Sequence, residues 1–593
     1  MKAEYRYYLN YDRALEAANR HPVEIEKLDS LPSIIYTNVP LPPEHPINLV
    51  HVPLDSLASF LTNTNLPAPD LLDTEGVMLP PPIINSYREQ FVHHIDQAQQ
   101  IIQNSKLDER HNRLIEDTYF LDRDVALLVS LMENRVYLDH PDQDGLQMCF
   151  YDGEPFNTSQ KNLINVKKDN YIDYFTHTTY RIPTKIVLQA QITENRKSAL
   201  SEQLRDAGKV VADNRDELFN HYHQLCRKRD PGRADPERLR IFLPANRLTN
   251  VMQFASKGLA TALEKLGHEV LYLVEKNDME QLHFHVLKAH HDFNPNVVIN
   301  INHINNEWLH ENTYNIVWWQ DPMPELFEND EDTYRNNDII FTIDSRWIDK
   351  LPTSKQKEAC VQSFCIDENV FHQNYNTPRQ EKIIFVGSSY RRWYENSSQL
   401  IRMALNSLID EFESGAELTN DLIEFHADKY NVPDHELKRH RLTYVVRDTS
   451  VRWMCEQGVT ASEVYGRGWE YDPTIKEHFK GELLHGEAVA EAYNNSEYAL
   501  CCIPGHIYSQ RLAELTACGC TPIVYDSRYS ADPPYFEDQC LYYTTKESLI
   551  EQLDRKPSLP PHTISDNYTY MAFAKRIVSA ISRHSGTDYT SDQ

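Results

Sequence analysis

From Arg238 to Asp526 the chain alternates short, almost wholly apolar runs with longer segments of helical periodicity. RLRIFLP opens the series. HEVLYLVE, NVVININ, YNIVWWQ and DIIFTID follow, then KIIFVG, SEVYG, YALCCIP and TPIVYD. A run that is apolar at successive positions reads as a strand buried on both faces, and intervening helices supply the cover. The pattern therefore predicts parallel sheets of the α/β class. In such sheets ligands bind outside the carboxyl ends of the strands. The residues just after each apolar run are thus the ones to read for chemistry.

Three regions separate along the 593 residues. Residues 1–235 begin with Pro-rich stretches (VPLPPEHP, LPPPIIN). They continue with helical segments near 87–104 and 110–132, a β-like part at 147–192 and a polar helix at 198–227. This region reads as α+β, and no internal repeat is apparent in it. CRKRDPGRADPER combines charge, Pro and Gly and reads as a linker. Residues 236–375 form a first α/β unit. Its helix FASKGLATALEKLG is stopped by Gly267. Residues 380–555 form a second, and KPSLPPHT then leads to a final amphipathic helix at 565–583. The tail SGTDYTSDQ is expected to be disordered.

Composition excludes several classes. Net charge is −29, from 59 basic and 88 acidic residues. That opposes sequence-independent binding to nucleic acid and to anionic lipid. The longest apolar run, VALLVSLM, falls far short of a membrane span. The first residues, MKAEYRYYLNYDR, lack a secretory core, so a cytoplasmic location is expected. The ten cysteines have no metal-ligand spacing and read as reduced, buried thiols. Glycine is scarce, 17 in all, yet nine fall between Gly387 and Gly519. That stretch is where the backbone is asked for positive φ or close approach.

Three segments there end strands. Gly387 precedes Ser388, Ser389, Tyr390, Arg391 and Arg392. A glycine turn with two arginines suits a diphosphate, and equally a plain turn with solvated side chains. Gly466-Arg467-Gly468-Trp469 reads as backbone packed close to a ligand, or as a tight turn anchored by Trp469. In PGHIYSQRLAELTACGCTPIVYD, Gly505, His506 and Tyr508 occupy a loop and Ser509 is a good N-cap. Phosphate is favoured at the free N–H groups of such a helix start. Arg511 and Glu514 share one helical face. Glu514 there could accept from two ribose hydroxyls, or simply pair with Arg511.

These segments resemble the C-terminal lobe of GT-B glycosyltransferases, most of all the CgeB-like group within the broad family-1 and family-4 type. The resemblance rests on VYGRGWE, on FKGELLHGEAVAEAYNNSEYALCC and on YSQRLAELTACGCTPIVYD, and extends loosely over residues 238–582. It implies two doubly wound Rossmann-like domains facing a cleft, with a last helix that crosses back to the first lobe. It also implies that Glu514 holds the donor ribose. Where the broader family often has Glu-x7-Glu, His506 stands eight residues before Glu514, which leaves open how the sugar or phosphate end is held. Arg391, Arg467 and Arg511 would stabilise a leaving diphosphate, with no cofactor and no metal. Asp-x-Asp occurs at 122/124, 142/144 and 330/332, never directly after an apolar strand, and reads as surface.

The first unit would then receive the acceptor. Its strand ends carry Asn246-Arg247, His303, Gln320-Asp321 and Asp344-Ser345. An inverting transfer needs a base near the acceptor hydroxyl, and His303 and Asp321 are the candidates. Each also has a plain reading, as a loop cap and as a turn residue before Pro322. The expected activity is hexosyl transfer from a nucleotide-diphosphate sugar to a glycan or protein. The alternatives are an epimerase or phosphorylase on the same fold, or a non-catalytic binding scaffold. Self-association through residues 1–235 is left open.

Overall fold

The computed structural model describes residues 5–23, 33–42, 44–64, 66–108, 117–139, 147–158, 160–188, 194–246, 250–276, 280–328, 333–438, 440–531 and 533–586. Arg247, the Asp-x-Asp pairs at 142/144 and 330/332, and the tail from 587 lie outside them. The chain divides into two compact units. One comprises Met1–Cys226 with Val274–Asp292, the other Arg227–Leu273 with Phe293–Gln593.

In the first unit the strands are β1 (Tyr5–Tyr8), β2 (Ile34–Thr37), β3 (Leu49–His51), β4 (Leu71–Asp73), β5 (Thr118–Phe120), β6 (Cys149–Tyr151), β7 (Leu163–Asn165) and β8 (Lys185–Val187). Among the described residues they form two sheets, ordered β3-β2-β1-β4 and β7-β6-β5-β8, and every pairing is parallel. The same topology thus occurs twice. The repetition reaches side chains. Tyr7 Oη donates to the Val52 carbonyl at 2.6 Å, and Tyr119 Oη to the Val166 carbonyl at 2.7 Å. Buried Asn48 donates to the carbonyls of Ala18 and His21, and buried Asn162 to those of Ser130 and Gln147. Residues 48–62, NLVHVPLDSLASFLT, align without a gap on 162–176, NLINVKKDNYIDYFT. Only five of these positions are identical, too few to stand out as a repeat in the sequence. What is kept is the hydrogen-bonding geometry.

Residues 118–120, expected within a helix, form β5, and the helix begins at Arg123. Residues 274–292 were expected with the first α/β unit, yet they group with the N-terminal unit. Tyr222 stacks on Phe284, Cys226 Sγ donates to the Leu287 carbonyl, and Gln281 N donates to the Thr179 carbonyl.

The second unit holds two lobes. In the first, β9 (Arg240–Pro244), β10 (Glu269–Leu273), β11 (Val297–Ile301), β12 (Tyr314–Trp319), β13 (Asp338–Thr342) and β14 (Cys360–Val361) form a sheet ordered β10-β9-β11-β12-β13-β14. In the second, β15 (Gln380–Val386), β16 (Ala461–Tyr465), β17 (Ser496–Cys501), β18 (Thr521–Tyr525) and β19 (Leu541–Tyr543) are ordered β16-β15-β17-β18-β19. All these pairings are parallel. β11, β12 and β13 are buried at every residue, as their largely apolar sequences require, and the polar Asn300, Asn315, Asp338 and Thr342 are buried with them. The C-terminal helix Tyr570–Ser585 buries Phe573, Ile577, Val578 and Ile581 in the core of the first lobe. The Tyr570 ring lies so close to Gly258 that a Cβ there would meet it at 2.4 Å.

Candidate functional site

The register of the second-lobe sheet decides which turns meet. Val386 at the end of β15 pairs with Tyr465 at the end of β16. The turns that follow, at Gly387 and Gly466, are therefore side by side. A Cβ at Gly466 would lie 2.4 Å from the Gly387 carbonyl oxygen, and φ there is +124°. A Cβ at Gly387 would lie 2.2 Å from Arg511 Nη2. Glycine is required at position 466 because backbone meets backbone there. Trp469 Nε1 donates to the Gly387 carbonyl at 2.7 Å and fixes the turn from below.

Arg511 enters this junction from the helix Gln510–Ala517, which Ser509 caps by accepting from Leu512 N. Its Nε donates to the Val386 carbonyl at 2.6 Å and its guanidinium lies over the Phe385 ring at 4.8 Å. A second arginine arrives from the helix His440–Glu456. Arg447 is buried, donates to the Ser388 carbonyl at 3.2 Å and lies over the Tyr390 ring at 4.4 Å. Burial and the nearby Arg511 both push the Arg447 guanidinium pKa down. Arg447 Nε and Arg511 Nη1 are buried without a hydrogen-bond acceptor. Neither side chain forms an ion pair among the described residues. Asp448 lies beside Arg447, and the charge of Glu514 is felt at Arg511, so neither cation is without an opposite charge. What the site leaves over is two N–H donors aimed at no protein acceptor, which suit an anion.

Asp448 is also buried, and its two oxygens are used locally. Oδ2 accepts from Ser389 Oγ at 2.5 Å and Oδ1 from Tyr390 N at 3.1 Å. Burial, the largest cause, pushes its carboxyl up to about 6. A folded-state value above the unfolded one, about 3.9, gives stability that is full below pH 4 and lost as pH rises through 6. The difference of two units corresponds to about 3 kcal/mol. Asp448→Asn should therefore stabilise the protein at pH 7 relative to pH 4, by that order, compared with wild type. Urea unfolding of both proteins at the two pH values checks this. Parallel pH profiles would contradict it.

Glu514 points the other way, into a cavity of about 190 Å³ between the two lobes. It is buried, and its Oε1 accepts from His485 Nε2 and from Gln510 Nε2, each at 2.9 Å. No ion pair joins Glu514 to Arg511 among the described residues, although both lie on one helix. The structure thus separates them into a cationic turn and an interlobe carboxylate.

Other expected site residues have different surroundings. Arg391 pairs with Glu395 at 2.7 Å, and Arg467 with Glu482 at 2.9 Å. Arg391 and Gly468 line a separate cavity of about 240 Å³ with Asp448 and Asp472. Gly505 makes a turn at φ +75° with nothing near it, and His506 is exposed. Tyr508 turns inward: its hydroxyl donates to the Phe364 carbonyl at 2.9 Å and its ring meets Tyr568. In the first lobe, His303 and Asp321 follow the paired strands β11 and β12. Asp321 Oδ2 accepts from Asn302 Nδ2 at 2.7 Å, while His303 Nδ1 is 3.7 Å from Glu325 Oε1.

Sequence reading missed Arg447, Asp448, His485 and Gln510. The first two carried a signal, an Arg-Asp pair that follows Tyr444, Val445 and Val446 in a helix whose apolar positions continue at Val451, Trp453 and Met454. Charged residues in a buried helix face need a purpose or a partner.

Residues 447–561 match a family model described as glycosyl transferase-like. Among curated proteins, none matches the chain. Solved structures similar to it include a glycosyltransferase from Rickettsia africae, 10% identical, with 58% of this chain and 98% of that one covered and a TM-score of 0.37. Sucrose-phosphate synthase from Thermosynechococcus elongatus is 12% identical, with 58% and 94% covered and a TM-score of 0.31. HepE from Anabaena, in complex with UDP and glucose, is 8% identical, with 58% and 99% covered and a TM-score of 0.30. Each of the two lobes of the second unit is built on a parallel, Rossmann-like sheet. Among the described residues, no helix is long and apolar enough to cross a membrane.

Proposed function

We propose that the chain, whose residues 447–561 match a glycosyl transferase-like family model, transfers a hexosyl group from a nucleotide-diphosphate sugar to a glycan or protein acceptor. The observation that carries this reading is the pair Arg447 and Arg511 behind the Gly387 turn, each with a buried N–H that no protein acceptor meets. A diphosphate at that turn would supply the missing acceptors. Charge also grows on the diphosphate as it leaves, so fixed cations there favour the transition state over the bound donor. The arginines provide this charge from the protein itself, and we propose that transfer needs no metal.

Glu514 would hold the ribose, because a carboxylate can accept from two vicinal hydroxyls and this one lines the interlobe cavity. In the first lobe the base for an inverting reaction would come from the ends of β11 and β12. Asp321 is the better fixed of the two candidates, through Asn302. His303 is beyond hydrogen-bond reach of Glu325. Ten free cysteines, nine of them buried, fit a reducing cytoplasm.

Incubation with labelled nucleotide-diphosphate sugars and a glycan or protein acceptor mixture tests the reading. Release of nucleoside diphosphate that depends on acceptor supports transfer. Interconversion of the donor would instead indicate an epimerase, and absence of any donor binding would indicate a scaffold.

A further inference from the structure

The Glu514 carboxylate uses its two oxygens unequally. Both protein donors, His485 Nε2 and Gln510 Nε2, bond to Oε1 at 2.9 Å. Oε2 has no protein partner among the described residues. An ionised carboxylate only accepts, so His485 carries its proton on Nε2. The ring is itself held. Phe254, on the helix Asn250–Lys265 of the first lobe, lies 4.7 Å from it between centroids at 34°. Phe371 lies 5.7 Å away. Gln510 is one turn before Glu514 on the same helix, so its reach to Oε1 follows from i,i+4 spacing.

Two donors on one oxygen fix both the rotation of the carboxylate and the direction of its second oxygen. We infer that His485 and Gln510 are positioning residues that clamp Oε1 of Glu514 and present Oε2 to the vicinal diol of the donor ribose. This rests on the proposed donor reading and adds to it how the ribose is distinguished from deoxyribose. His485 acts only through Glu514. Its contact with Phe254 ties that orientation to the first lobe.

The test is the ratio of Kd values for a ribonucleoside diphosphate and its 2′-deoxy counterpart. UDP, GDP and ADP, each with its 2′-deoxy form, are titrated into full-length wild type, His485→Ala and His485→Gln. Wild type should favour the ribose form of the nucleotide it binds by about tenfold, the worth of one hydrogen bond to a charged acceptor. His485→Ala should reduce that preference to less than about threefold. His485→Gln, which returns an N–H near Nε2, should restore most of it. General loosening of the fold would weaken both ligands alike and leave the ratio unchanged. An undiminished preference in His485→Ala, or no recovery in His485→Gln, would overturn the inference while leaving the donor reading in place. If wild type binds none of the nucleotides, both readings fall together.

Discussion

Glu514→Ala is expected to weaken binding of the nucleoside diphosphate by about a hundredfold. Two hydrogen bonds from ribose hydroxyls to a charged acceptor contribute about 1.5–3 kcal/mol each, and part of that is recovered by water in the variant. The fold should survive, because alanine is the best helix former and the site lies on the helix Gln510–Ala517. Calorimetric titration alongside a thermal melt separates the two effects. Affinity unchanged within threefold, in a variant that melts like wild type, would remove Glu514 from the site.

Gly466→Ala is expected to cost stability instead, by about 3–5 kcal/mol. A positive φ is strained for alanine, at about 1–3 kcal/mol. The added Cβ must also displace the Gly387 carbonyl, which it would meet at 2.4 Å. That oxygen accepts from Trp469 Nε1, so the turn has little room to yield. Gly458→Ala is the control, with φ +64° and nothing within 4 Å, and should cost about 1 kcal/mol. Urea unfolding of both variants measures the difference. Equal losses would mean that the contact between the two turns does not constrain the backbone.

Much of the second unit was legible from the chain because its strands are buried on both faces. A run such as YNIVWWQ has few other ways to bury Ile316, Val317, Trp318 and Trp319 in succession. The helix start at Ser509 was legible for a local reason, since its hydroxyl accepts from an N–H three residues on. What could not be read is whatever depends on register. Nothing near Gly387 announces that Gly466 will lie against it, because that follows from the pairing of Val386 with Tyr465. His485 was invisible for the same reason, as its loop meets Glu514 only once β16, β15, β17 and β18 are in order. Arg391 and Arg467 look suited to phosphate in sequence, yet the fold offers each a nearby carboxylate at the surface.

The N-terminal unit shows the opposite limit. Its strands are only three or four residues long. Such short runs give little periodicity, and their parallel pairing left no trace that sequence reading could use. The duplication is carried by single anchoring residues, Tyr7 with Tyr119 and Asn48 with Asn162, whose shared bonds appear only in the folded chain.

Donor binding as proposed puts a nucleotide diphosphate at the Gly387 turn of the second lobe. Calorimetric titration of wild type and Arg511→Met with UDP, GDP and ADP tests it most directly. Methionine keeps the unbranched stem and removes the charge, but it also removes the donor to the Val386 carbonyl, so a thermal melt run alongside shows that the variant is folded. Wild type is expected to bind one of these nucleotides saturably, with a loss of at least about tenfold in Arg511→Met. Absence of binding to wild type, or equal affinity in a folded Arg511→Met, would contradict it.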